Sequence, residues 1–146
     1  MIEKKRQKRL YNEYSEIIKH IGATKLCSSE INNEFLEETL DFSDYLFVHM
    51  HRDNIRGFAC VDYITSPERH LYISLICNVK HHSMTTRKTK KDVKYSGKHI
   101  ILRVIEMAKK KRVKYVKLSA INNVITYYYH LGFTFDSPDL QNDSKE

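Results

Sequence analysis

Residues 94 to 120 spell a capped helix followed by a strand, and this pair constrains the fold more than any other stretch. Lys94-Tyr95-Ser96-Gly97-Lys98-His99 opens it. Ser96 is a good N-cap, because its hydroxyl can accept from the first free amides. Gly97 has no Cβ to keep a ligand away from those amides. Ile100, Ile101, Val104, Ile105 and Ala108 then recur at spacings of three and four, and Lys98, Arg103, Glu106, Lys109 and Lys110 take the other face. A helix with one apolar face, leading into the strand Tyr115 to Ala120, needs a sheet to lie on. Its amino end, at a glycine between two lysines, has the free N–H groups and dipole end that bind phosphate. The plainer alternative is an ordinary capped helix against a sheet.

Earlier segments supply that sheet. Tyr45 to His51 and Ile55 to Ile64 read as strands joined at Asp53-Asn54, a hairpin. Thr65-Ser66-Pro67-Glu68 makes a further turn before the strand Leu71 to Asn78. Two helices precede the sheet. Leu10, Tyr14, Ile17, Ile18 and Ile21 give the first one an apolar face, and Gly22 is its stop. Ser28 or Ser29 can cap the second, whose apolar side is Ile31, Phe35, Leu36 and Leu40. Lys4 to Arg9 is a basic run that suits a solvated tail or first helical turn better than a nucleic-acid patch.

Length fits one domain over residues 1–136. The polar, acidic residues 137–146 read as a disordered tail. No apolar run approaches the roughly 20 residues of a membrane span, and no signal core follows the basic start. Cys27, Cys60 and Cys77 are odd in number and far apart. They suggest neither a disulfide framework nor a zinc site, and so a reducing, cytoplasmic compartment. Residues 80–117 carry 14 Lys and Arg against Asp92 and Glu106. That charge would serve an anionic cofactor. Nucleic acid is disfavoured, because residues 80–93 interleave no aromatics among the lysines. His81-His82 lacks the face-sharing of an i, i+4 pair, so no metal is expected.

Downstream of the strand comes Asn122-Asn123-Val124-Ile125-Thr126-Tyr127-Tyr128-Tyr129-His130-Leu131-Gly132-Phe133. Glycine, helix, strand, then a short helix ending in aromatic-Tyr-x-x-x-Gly-Phe resembles the GCN5-related N-acetyltransferase (GNAT) family, over about residues 44 to 136. That family's phosphate loop usually reads Arg/Gln-x-x-Gly-x-Gly/Ala; Gly97 matches it, Lys94 is a conservative replacement and His99 departs. The resemblance implies an α/β, single-domain acyl-CoA N-acyltransferase (GNAT-like) fold, with a mixed, mostly antiparallel twisted sheet flanked by helices. It implies acetyl-CoA as co-substrate and a small-molecule or protein amine as acceptor.

By the same resemblance, the strand ending at Asn78 splays from its neighbour, and Ile76, Cys77, Asn78 and Val79 meet the pantetheine arm. Lys94, Ser96, Gly97, Lys98 and His99 meet the phosphates. Tyr128 takes the general-acid position, with Tyr129 the alternative if the register slips by one. No carboxylate lies between Leu71 and Asn78, where many members carry the base; Ser74 stands there instead. Asp62 and Glu68 are the nearest acids, and surface charges by default. The family adds a strand before the first helix and another at the end, neither of which is evident here. A homodimer partner would be one way to complete the acceptor wall. A non-catalytic module of the same fold is the main alternative.

Overall fold

The computed structural model describes residues 1–27, 31–78, 87–119 and 132–134, with backbone only for 78 and 87–96. In chain order the elements are β1 (Ile2–Glu3), α1 (Lys8–Ile21), α2 (Ala23–Leu26), α3 (Asn33–Phe42), β2 (Tyr45–His51), β3 (Asn54–Ile64), β4 (His70–Asn78), α4 (Arg87–Lys110) and β5 (Tyr115–Leu118). The strands form one sheet in the order β1-β2-β3-β4-β5. The first three pairings are antiparallel and β4–β5 is parallel. A parallel pair needs a long crossover, and α4 supplies it.

Alternation along the strands divides the core in two. Leu46, Phe58, Cys60, Leu75 and Cys77 face α1, α2 and α3. Tyr45, Phe47, Ala59, Val61, Leu71 and Ile73 face α4, where they meet Ile100, Ile101, Val104, Met107 and Ala108. This is nearly the helix face read from the spacing; Ile105 packs at its margin.

The first helices differ more from expectation. The buried side of α1 is Tyr11, Ser15 and Ile18, while Leu10 and Ile17 are exposed. The helix is turned because the Tyr11 hydroxyl reaches inward and donates to the Leu40 carbonyl at 2.6 Å. The N-cap of α3 is Asn32, whose side chain accepts from the Phe35 amide at 2.8 Å, so the helix is not capped by Ser28 or Ser29. Asn33 in turn accepts the Ala23 amide with its side chain, tying α3 to the short α2.

A strand does precede the first helix. β1 is two residues long and pairs Ile2 with Leu46 and Glu3 with Tyr45. The hairpin loop is Arg52-Asp53, with Arg52 at φ 57° and Asn54 already paired to His51. Ser66-Pro67 is cis. β5 ends at Leu118, short of the expected Ala120, which lies outside the described residues.

Candidate functional site

Two observations on β4 define the site. The first is a bulge. Cys60 pairs with Leu75 but Val61 pairs with Ile73, so Ser74 is an extra residue on β4. An extra residue reverses the in–out alternation beyond it. Leu71 and Ile73 accordingly face α4, whereas Leu75 and Cys77 face the opposite side and Ile76 takes over toward α4. Ser74 stays in place by donating its hydroxyl to the Cys60 carbonyl at 3.1 Å.

The second is the end of the β4–β5 pairing. Its register runs from His70↔Tyr115 to Ile73↔Leu118. β4 continues five residues further, Ser74 to Asn78, and among the described residues only β3 pairs with that stretch. The bulge sits where the described β4–β5 pairing ends, and a bulge sharpens local twist and bends its strand. From Ala120, the residues that would follow β5 past this point lie outside the described residues, as does Val79 of the expected splay. A strand edge of this kind offers N–H and C=O groups to an extended ligand.

The far end of β4 and the early part of α4 lie over the same end of the sheet. Asn78 pairs with Gly57 and Gly57 with His49, making one row across three strands. The His99 ring lies 5.6 Å from that of His49, centroid to centroid. The structure thus brings Asn78 and His99 toward one rim, with Lys98 exposed beside them and Gly97 buried.

The expected helix start is corrected here. α4 opens at Arg87, and Lys94, Ser96 and Gly97 lie within it. Ser96 is therefore no cap. The amides of Gly97, Lys98 and His99 sit where a helix bonds its own carbonyls four residues back, not among its four free N–H groups. The cue misled because Ser-Gly is a start signal only where the preceding residues cannot be helical, and residues 87–95 contain neither glycine nor proline.

Cys77 brings a second correction. It is bonded to Cys27 through a 2.04 Å disulfide that ties β4 to the end of α2, and it is 4% exposed. Its side chain is turned to the three-helix face, away from α4. Cys60 is the free thiol; burial pushes its pKa up to about 12. The pairing spans 50 residues, too far for sequence spacing to suggest it, and it runs against the expected reducing compartment.

On the three-helix side, next to the bulge, lies a cleft of about 270 Å³. Phe35, Glu38, Thr39 and Phe42 of α3 line it, together with Ser43, Asp62 and Ser74. Asp62 was read as a surface charge, and here it is half-buried in this cleft. Burial first, and then the Asp44 carboxylate, raise its pKa above the ordinary value; a backbone hydrogen bond from Asp44 and the charge of Lys4 oppose this. A carboxyl shifted by desolvation inside a cleft is a candidate functional group. The signal available in the sequence was weak: an acid on the inward-facing parity of a buried strand, shared with Phe58 and Cys60. Glu68 remains exposed, its carbonyl taken by the Nδ1–H of His70.

Tyr127, Tyr128, Tyr129, Val79 and His81-His82 lie outside the described residues. Among the described residues no group of three His, Cys, Asp or Glu side chains could hold a metal ion, and no helix is long and apolar enough to cross a membrane.

No protein-family model matches the chain, and no curated protein matches it. Solved structures do. A Pyrococcus furiosus protein provisionally assigned as an acetyl transferase superimposes with a TM-score of 0.52 at 17% identity, over 86% of this chain and 88% of that one. A Bacillus halodurans protein, solved as a tetramutant, gives 0.54 at 15% identity, over 88% and 86%. A Staphylococcus aureus protein of unknown function, provisionally assigned as an acetyltransferase, gives 0.50 at 20% identity over 75% of each chain. At these identities the likeness is one of fold. With a mixed five-stranded open sheet among the described residues, the α4 crossover and helices on both faces, this chain has an α/β, GNAT-like fold.

Proposed function

We propose that the chain transfers an acetyl group from acetyl-CoA to an amine acceptor, small molecule or protein. The observation that carries this reading is the opening along β4 from Ser74 to Asn78, where no described residue of β5 pairs with it. A pantetheine arm is extended and carries two amides, so it can pair with the β4 edge as an added strand would. Backbone groups of Ile76, Cys77 and Asn78, with Val79 beyond, would hold it. The basic Lys94 and Lys98, with Ser96, Gly97 and His99 around them, would meet the phosphates. Because α4 is continuous there, that binding would rest on charge rather than on free amides.

Acetyl-CoA supplies the thioester. Chain groups then have three tasks. N–H groups at the β4 edge face the carbonyl oxygen as it gains charge. The opening holds amine and thioester together, which makes attack effectively intramolecular; the N–C bond forms as the C–S bond breaks, and the amine's proton passes to water. Tyr128, in its expected general-acid role, protonates the departing thiolate.

The test is calorimetric titration of the full chain with acetyl-CoA, followed by turnover on amines. Micromolar binding and turnover are expected. Tyr128→Phe should lower turnover by roughly 10²-fold, toward the lower end for a positioned acid, with little change in acetyl-CoA affinity. If Tyr129→Phe shows the loss instead, the register is shifted by one. A protein of this fold acting through protein contacts alone is the second reading. It is favoured by α4 running unbroken through Gly97, and absence of acetyl-CoA binding would select it.

A further inference from the structure

We propose that the cleft between α3 and the β4 bulge binds a small amine with an apolar body as its ammonium ion, which loses a proton to water to become the acceptor in the transfer proposed above. The argument rests on what the lining can and cannot donate. Thr39 gives its hydroxyl proton to the Phe35 carbonyl at 2.7 Å, Ser43 gives its own to Thr39 at 2.6 Å, and Ser74 to Cys60 at 3.1 Å. Each hydroxyl is left with lone pairs only. Glu38 and Asp62 are acceptors when ionised. The polar side chains of the cleft therefore present acceptors and negative charge together. An ammonium, with three donors, no acceptor and a positive charge, is the complement. A carboxylate or phosphate would meet two carboxylates and no side-chain donor.

The apolar part of the lining selects the rest of the ligand. Phe35 and Phe42 are 43% and 78% exposed, so their rings stand at the cleft with area to cover. They can pack on an aromatic or branched body and attract a cation over the ring face. A volume of about 270 Å³ is near the lower end for small-molecule sites, roughly 300 to 1,000 Å³, which favours a compact ligand over a long polyamine. Ser74 joins the cleft to the opening, since the residue that lines one creates the other. The raised pKa of Asp62 comes first from burial, a cost to its charge that a bound cation would offset.

The experiment is titration of the full chain with 2-phenylethylamine and with 2-phenylethanol, the same body without the charge. The amine should bind and the alcohol should bind at least about ten-fold more weakly, because hydrogen bonds to charged groups are the stronger ones. Asp62→Asn should weaken the amine about ten-fold or more and leave acetyl-CoA affinity unchanged. Glu38→Gln, on the exposed side of α3, should weaken the amine by less and serves where the first variant folds poorly. Equal binding of amine and alcohol overturns the proposal, as does no binding of the amine, or full amine affinity in the double variant. Amine binding without acetyl-CoA binding keeps the cleft and removes the transfer reaction. Acetylation of the amine with an unchanged KM in the double variant keeps the reaction and removes the cleft.

Discussion

The two faces of the sheet are closed by different means. Among the described residues, one face is covered by a single long helix, α4, whose aliphatic side chains meet Tyr45, Phe47, Ala59, Val61, Leu71 and Ile73. On the other, three shorter helices are joined by directed bonds. Tyr11 donates to Leu40, Asn33 accepts from Ala23, Lys19 pairs with Asp41 at 2.6 Å, and a disulfide links α2 to β4. Apolar packing tolerates no polar vacancy, and the described α4 contacts are between hydrophobic side chains. Directed bonds can be made around a gap, and the cleft with Asp62 and Glu38 lies on that side. Chemistry at polar side chains is therefore concentrated on the three-helix face, while the α4 face fixes the geometry of β4.

The largest expected effect comes from the packed face. Ile101 is 2% exposed and sits in the middle of the α4 contact. Ile101→Ala removes buried methyl groups where a rigid helix cannot collapse, and should cost about 2–5 kcal/mol in urea denaturation. A loss below about 1 kcal/mol would mean that α4 is not the rigid cover described.

Reducing Cys27–Cys77 should come next. By loop closure, a bridge over 50 residues stabilises the fold by about 2–4 kcal/mol. Thiol labelling reads the state directly. Without reductant the folded chain should label nowhere, because Cys60 is fully buried with its pKa raised to about 12. Unfolding should release one thiol, and unfolding with reductant all three. Two or three thiols without reductant would return the chain to the reducing compartment read from the sequence.

Much of this contrast was legible beforehand, and the legible half is instructive. Residues 45–51, 55–64 and 71–78 alternate or run apolar between turn residues, and each forms a strand within one residue of its expected ends. The α4 face was readable because buried aliphatics at three and four residues leave one interpretation. The three-helix face was not. Its partners are single polar atoms far apart in sequence, as with Tyr11 and Leu40 or Cys27 and Cys77, and no local period marks them. β1 escaped because two residues carry no alternation. The start of α4 was misplaced because Ser96-Gly97 looks the same as a cap and as a helical interior until the preceding residues are placed. The bulge at Ser74 was invisible for the same reason as the cleft. It is a relation between β3 and β4, not a property of either.

A smaller effect tests the directed bonds of the three-helix face. Tyr11→Phe keeps the ring but leaves the buried Leu40 carbonyl without its donor, costing about 1–2 kcal/mol at neutral pH. The phenol pKa is raised well above its ordinary value, by burial first and then by the charges of Cys60 and Asp62. The folded state thus keeps a proton that the unfolded state begins to lose near pH 10. Parent stability should fall as pH rises above that value, and the gap between parent and Tyr11→Phe should narrow there. A gap that widens would mean that the phenol is ionised in the fold.

The smallest effect, and the one closest to the candidate site, belongs to Asp62. Its pKa is raised, so the folded protein binds this proton more tightly than the unfolded chain does. The unfolded group titrates near 3.8. Across the window from there up to the raised folded value, the native state holds more protons, and stability declines as pH rises. Above the window the loss is complete and constant. This is the reverse of a carboxylate held by a cation. Asp62→Asn cannot ionise, so it should be slightly more stable than the parent at pH 7, with the advantage disappearing toward pH 3. If the variant is instead less stable at pH 7, the hydrogen bond from the Asp44 backbone outweighs burial, and Asp62 is a structural anchor. A stabilised variant that has also lost 2-phenylethylamine would mark Asp62 as a residue kept at a cost to the fold, the usual sign of a binding group.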